Sequence, residues 1–205
     1  MRIIENFIPE SYKKELYDNL SGTNFPWFYE KGTVWTTTNY SLQERFGDSI
    51  VLDKMTEDNS QFVHVFFSSG QLNSALFSLV KPMFYFLEQQ GVQIKATKRI
   101  KANMMTRDRG FPENSYNIAH IDVPKQEYGT KAFTFLYYVN DSDGDTYLFN
   151  EKYDPFQTSE SLTIQHRITP KAGTGILFDS YQYHASSPPR VSPMRMVINY
   201  VIELE

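Results

Sequence analysis

The sequence predicts a mainly β fold with flanking helices, a sheet sandwich or jelly roll packed on an N-terminal helical layer. Three observations carry this. Residues before about 91 show helical periodicity. From Val92 onward the chain turns to short runs rich in β-forming residues, and turn signals separate those runs at regular intervals. No linker-like stretch divides the two styles, and 205 residues suit one domain with a sizeable core. The expected organisation is therefore a single domain over 1–205, with 1–91 as a helix-bearing support and 92–205 as the β core.

The first helix is expected over 9–20. Tyr12, Leu16 and Leu20 share one face there, and Ser21-Gly22 can end it. A second helical stretch is expected from near Gln71. Leu72, Leu76, Leu79, Val80, Met83 and Leu87 form an apolar stripe that Gly91 can stop. Pro82 lies inside it, which predicts a kink or two abutting helices. Strands are expected over 100–106, 132–139, 146–149, 162–168, 175–178 and 195–202. The punctuation between them is Gly110, Pro112, Asp143-Gly144, Pro170, Gly173 and Pro188-Pro189. There is no internal repeat and no low-complexity segment.

Composition narrows the class. Hydrophobic residues at 40% and charged residues at 21% fit a soluble globular chain. The aromatic share of 16% implies a core built with rings, an aromatic-lined cleft, or both. A formal net charge of −4 argues against general affinity for nucleic acid. Lys95, Lys98, Arg99 and Lys101 form a local basic stretch that reads as a solvated strand face. With no cysteine, disulfides, thiolate metal sites and cysteine nucleophiles are excluded. No stretch has the length to cross a bilayer and the start lacks signal-peptide features, so an intracellular, cytoplasmic enzyme without a membrane partner is the expectation.

The chemistry concentrates in His120-Ile-Asp122, His184 and Arg195. Residues two apart on a strand point the same way, so His120 and Asp122 can reach one ion. His184 follows 64 residues later (184 − 120), which a returning strand could bring close. Two histidines and a carboxylate fill one face of an octahedron and suit non-haem Fe(II), leaving room for an organic cosubstrate and dioxygen. Arg195 supplies a fixed cation for a cosubstrate with a distant carboxylate. His64 and His166 read as packing or surface residues.

Five segments, in order, carry a resemblance. "AHIDVP", "TFLYYVND", "DGDTYLF", "ITPKAGTGILFDS…YH" and "RMVINYVI" are similar to successive segments of the 2-oxoglutarate/Fe(II)-dependent oxygenase superfamily, most of all its prolyl-4-hydroxylase-like branch. The likeness runs from about 101 to 203, and "IIENFIPESY" resembles the first strand and helix of these enzymes more loosely.

The resemblance implies a double-stranded β-helix holding Fe(II) through His120, Asp122 and His184. It implies 2-oxoglutarate as cosubstrate, chelating through its 1-carboxylate and 2-oxo group, with ascorbate as a reductant. Succinate and carbon dioxide would be released as an unactivated C–H is hydroxylated. The prime substrate would be a protein residue, with proline suggested by the branch alone, or a small molecule. Arg195 would pair with the 5-carboxylate, with Lys171 and Arg190 as rivals. Tyr138 would donate to the same carboxylate, Leu136 would line the methylenes, and Asn199 shares the face of Arg195. Asn103 stands where some branches contact the cosubstrate, although the prolyl-hydroxylase branch usually has Tyr there. The segments 107–117, 151–161 and 185–193 could form the cleft mouth, with Trp27, Phe28, Tyr29 and Trp35 as walls or as packing. A noncatalytic jelly-roll binding module and a nucleic-acid dealkylase of the same superfamily are the alternatives.

Overall fold

Strand β1 (Arg2–Glu5) leads into helix α1 (Glu10–Ser21), which starts after Pro9 and buries Tyr12, Leu16 and Leu20 at the spacing of one helical face. Strands β2 (Phe28–Glu30), β3 (Ile50–Val51), β4 (Gln61–Ser68) and β5 (Gln71–Leu72) follow. The computed structural model describes residues 1–33, 50–51, 58–123, 127–156 and 161–205. The expected long second helix is two short ones, α2 (Phe77–Val80) and α3 (Met83–Gln89), which abut at Lys81-Pro82 because proline cannot donate into a preceding turn. The helical stretch does not begin at Gln71. Ser69 and Gly70 both adopt positive φ, 53° and 77°, and this two-residue turn folds Gln71–Leu72 back onto β4.

The remaining strands are β6 (Ile94–Thr106), β7 (Ala119–His120), β8 (Ala132–Tyr138), β9 (Thr146–Lys152), β10 (Ile164–Ile168), β11 (Thr174–Asp179), β12 (Gln182–Ser186) and β13 (Met194–Leu204). Among the described residues they form two antiparallel sheets. The larger runs β1-β11-β8-β13-β6-β4-β2, with β5 on β4, and the smaller runs β10-β9-β12-β7-β3. The architecture is thus a mainly β jelly roll. The first 91 residues do more than support it from outside, because β1 extends one margin of the larger sheet and β4, β2 and β5 extend the other.

Period-2 alternation sorts the side chains. Phe135, Tyr137, Ile198 and Tyr200 join Leu16, Leu20, Met83 and Leu87 of the helices in one buried cluster. Their strand neighbours Leu136, Tyr138 and Val197 turn the other way and meet Leu148 of the smaller sheet. That second face is where the chemistry-bearing residues collect.

Candidate metal centre

The two histidines meet because β7 and β12 pair with His184 directly opposite His120. Their ring centroids lie 4.5 Å apart. Each ring is oriented by its own backbone. His120 Nδ1 lies 3.0 Å from the Ile118 carbonyl and His184 Nδ1 lies 3.0 Å from the Gln182 carbonyl. A carbonyl only accepts, so both Nδ1 atoms donate, which turns both Nε2 atoms toward the cavity. Burial, then the nearby His184, push the His120 pKa down to about 3, so its imidazole is neutral and able to bind a cation.

Asp122 arrives differently from the sequence expectation. Strand β7 ends at His120, so strand alternation does not aim the carboxylate. Its backbone N–H instead donates to the Ser180 carbonyl at 3.1 Å, and the larger sheet grips its side chain. Thr134 Oγ1 and Asn199 Nδ2 donate to Oδ2 at 2.7 and 3.2 Å, and Arg99 Nη2 donates to Oδ1 at 2.5 Å. Burial opposes the charge, but His184 and Arg99 outweigh it and hold the carboxyl well below its usual range. Oδ2 lies 3.3 Å from His184 Nε2, and ligand-capable atoms of all three residues lie within 4.8 Å of one another. Two inward-facing imidazoles and one ionised carboxylate converging this way suit a divalent transition metal with open positions.

The cavity extends from this cluster toward Arg195, which is 3% exposed. Arg195 Nε donates to the Gly144 carbonyl at 2.9 Å and Nη2 to Thr146 Oγ1 at 2.7 Å. The Tyr138 hydroxyl donates to the same Thr146 oxygen at 2.9 Å, and burial pushes its pKa up to about 12, which keeps it a neutral donor. Among the described residues no carboxylate lies within ion-pair distance of Arg195, whose own pKa burial lowers. Gly144 is required by this packing. A Cβ there would lie 2.6 Å from the Ser187 carbonyl oxygen and 3.0 Å from Arg195 Cδ. Arg195 lines the same cavity as His120, Asp122 and His184, and a buried guanidinium with no carboxylate partner among the described residues suits a carboxylate-bearing ligand.

The other expected site residues fall as follows. Leu136, Asn103 and Asn199 line the cavity, and the Asn103 and Asn199 side-chain oxygens are buried without a partner among the described residues. Tyr138 touches the site through Thr146. Arg190 faces Glu113 at 3.6 Å outside the cavity, and Lys171 is exposed. His64 is a packing residue between Phe25 and Phe66, bonded to the Pro26 carbonyl and Ser74 Oγ, while His166 is exposed on β10. Trp27 packs on the main core, Phe28 and Tyr29 are exposed, and Trp35 and part of 151–161 lie outside the described residues.

The basic stretch splits, which the sequence reading missed. Lys95 and Lys98 meet Glu203 and Glu127 at the surface, whereas Arg99 binds Asp122 and Lys101 lines the cavity. Burial pushes the Lys101 ammonium pKa down to about 8. The signal was the alternation Arg99, Lys101, Asn103 against Ile100, Ala102, Met104. A solvated face and a polar interior face produce that same pattern.

Comparison with known proteins agrees with this architecture. Residues 109–203 match the 2OG-Fe(II) oxygenase superfamily. No curated protein matches the chain. Among solved structures, the non-heme alpha ketoglutarate dependent epimerase SnoN from nogalamycin biosynthesis shares the fold at 11% identity and TM-score 0.59, over 98% of this chain and 77% of that one. The carbocyclase SnoK from the same biosynthesis does so at 13% identity and TM-score 0.57, over 98% and 78%. A Pseudomonas putida prolyl-4-hydroxylase aligns over 100% and 92% at 11% identity, with TM-score 0.47. Among the described residues no helix is long and apolar enough to cross a membrane.

Proposed function

We propose, from the premise that residues 109–203 belong to the 2OG-Fe(II) oxygenase superfamily and that the chain is a 2-oxoglutarate-dependent oxygenase, that it hydroxylates an unactivated C–H bond and releases succinate and carbon dioxide. The prime substrate is a protein residue, proline among them, or a small molecule. The observation that carries this reading is the convergence of His120, Asp122 and His184 at one end of a cavity whose other end holds the unpaired Arg195.

In this reading His120, Asp122 and His184 would hold Fe(II). The bound iron, with 2-oxoglutarate and dioxygen, supplies the oxidising power. The protein binds, orients and keeps the site dry. Arg195 receives the 5-carboxylate with a forked guanidinium, and Thr146, Tyr138 and the Gly144 carbonyl fix that fork in place. Leu136 and Val197 flank the methylenes between the two ends. The whole of 1–205 works as one unit here, since strands from its first 91 residues extend the larger sheet.

An intact ligand set weighs against a noncatalytic module. The net charge of −4, with two of the four basic-stretch residues turned into the interior, weighs against a nucleic-acid dealkylase. Anaerobic titration with Fe(II) and 2-oxoglutarate, followed by oxygen and succinate detection, tests the proposal. One iron and one 2-oxoglutarate per chain are expected, with succinate formed on oxygenation. Failure to bind 2-oxoglutarate in the presence of metal overturns it.

A further inference from the structure

Beyond the metal and the cosubstrate, the cavity contains an unanswered charge. Lys101 lines it from β6, directly across from Asn199, the residue that donates to Asp122. Among the described residues its ammonium has no hydrogen-bond or ion-pair partner. Lys101 is half-buried, and a cation drawn partly out of water without a counter-ion is costly.

The charges around the cavity can be counted. Among the described residues, Arg99, Lys101 and Arg195 are three cations, and Asp122 is the one carboxylate lining the cavity. Asp122 is matched by Arg99, which leaves Lys101 and Arg195. Two further carboxylates act from outside. Asp145 is paired with Arg167, and Glu30, on β2, is felt by Lys101 but lies beyond ion-pair distance. Fe(II) and 2-oxoglutarate carry equal and opposite charges, so loading both does not change the excess. Within the proposed function, one end of 2-oxoglutarate answers Arg195 and the other binds the metal. Lys101 is then still unmatched, and the unpartnered amide oxygens of Asn103 and Asn199 mark the same wall as polar.

We infer that the prime substrate carries a carboxylate and that Lys101 receives it. This inference rests on the proposed function and narrows its substrate class from any C–H donor to an anionic one. Lys101 is then a specificity-determining residue, forming a charge-assisted hydrogen bond that an amide isostere cannot replace.

The test uses the full chain loaded with Mn(II), which does not turn over, and saturating 2-oxoglutarate. Benzoate and propionate are titrated against benzamide and propionamide, and occupancy is read by water-proton relaxation at the manganese. Each carboxylate should bind at least tenfold more tightly than its amide without displacing 2-oxoglutarate. The preference should vanish in Lys101→Met, return in Lys101→Arg, and leave 2-oxoglutarate affinity within threefold of wild type. Equal binding of acid and amide overturns the inference, as does a preference that survives Lys101→Met. A parallel loss of 2-oxoglutarate binding in Lys101→Met also overturns it, by assigning Lys101 to the cosubstrate. If wild type retains Mn(II) but not 2-oxoglutarate, the proposed function itself falls.

Discussion

The two sheets face one cavity with different chemistry and different means of holding it. On the smaller sheet, His120 and His184 stand opposite each other, and each ring is fixed by a carbonyl two residues earlier in the chain. On the larger sheet, Arg99, Lys101, Arg195 and Asn199 supply charge and polarity, and the partners of Arg99, Arg195 and Asn199 lie far away in sequence. Imidazole placement is therefore a local property of two short strands, whereas charge placement depends on the assembled fold. Asp122 belongs to both, tied by its backbone to the loop after β11 and by its carboxylate to the larger sheet. The lesson is that metal binding and anion binding should be separable by substitution, with Asp122 the one residue that couples them.

The strongest way to break this division is at Asp122. Asp122→Ala removes a ligand and the counter-charge to Arg99 together, so metal affinity should fall by more than about 100-fold, beyond the usual cost of losing a supporting residue alone. Oxygenase turnover should be abolished. A metal titration at matched protein concentration checks the first, and wild-type turnover would refute the role. Next comes Arg195. Arg195→Ala should weaken 2-oxoglutarate by about 2–5 kcal/mol while leaving metal affinity near wild type, and Arg195→Lys should fall between because it keeps the charge and loses the fork. Isothermal titration with each ligand separately reads the two effects. Equal losses in both would erase the distinction between the sheets.

A smaller effect should sharpen it. Arg99→Met frees Asp122 Oδ1 without touching a ligand, and metal affinity should drop by about 10–100-fold, as for other residues that orient metal ligands. The same variant should leave 2-oxoglutarate binding to the metal-loaded protein little changed. Smallest of all, Tyr138→Phe removes one hydrogen bond to Thr146 and should cost about 1 kcal/mol of 2-oxoglutarate binding, because the hydroxyl acts on Arg195 only through that threonine. An effect as large as that of Arg195→Ala would mean that the phenol itself meets the carboxylate.

Much of this was legible in the chain. The β runs, their turns and the split at Pro82 follow from local pattern, and residue type, spacing and the family resemblance together pointed to the four residues that line one cavity. What escaped was tertiary. β12 reads as a polar loop, yet it forms a strand whose Gln182 amide donates to the Phe149 carbonyl at 2.7 Å and the Gln165 side chain at 2.9 Å. Neither partner is near it in sequence. Thr134 looked like an ordinary strand residue until Asp122 lay beside it. Arg99 and Lys101 carry the pattern of a wet surface, and only the second sheet makes their face an interior one.

The margin of the smaller sheet has a consequence of its own. β7 is two residues long, pairs with β12 at the single position His120↔His184, and carries β3 through Ile50↔His120. So short a ladder should open locally well before the rest of the sheet, because few backbone bonds resist it. An ion gripped by both imidazoles ties the two strands together across that weak pair. Amide hydrogen exchange over 118–122 should therefore slow when the ion enters and quicken when it is chelated away. The metal would then govern how often this margin of the sheet opens, whether or not any substrate is ever oxidised.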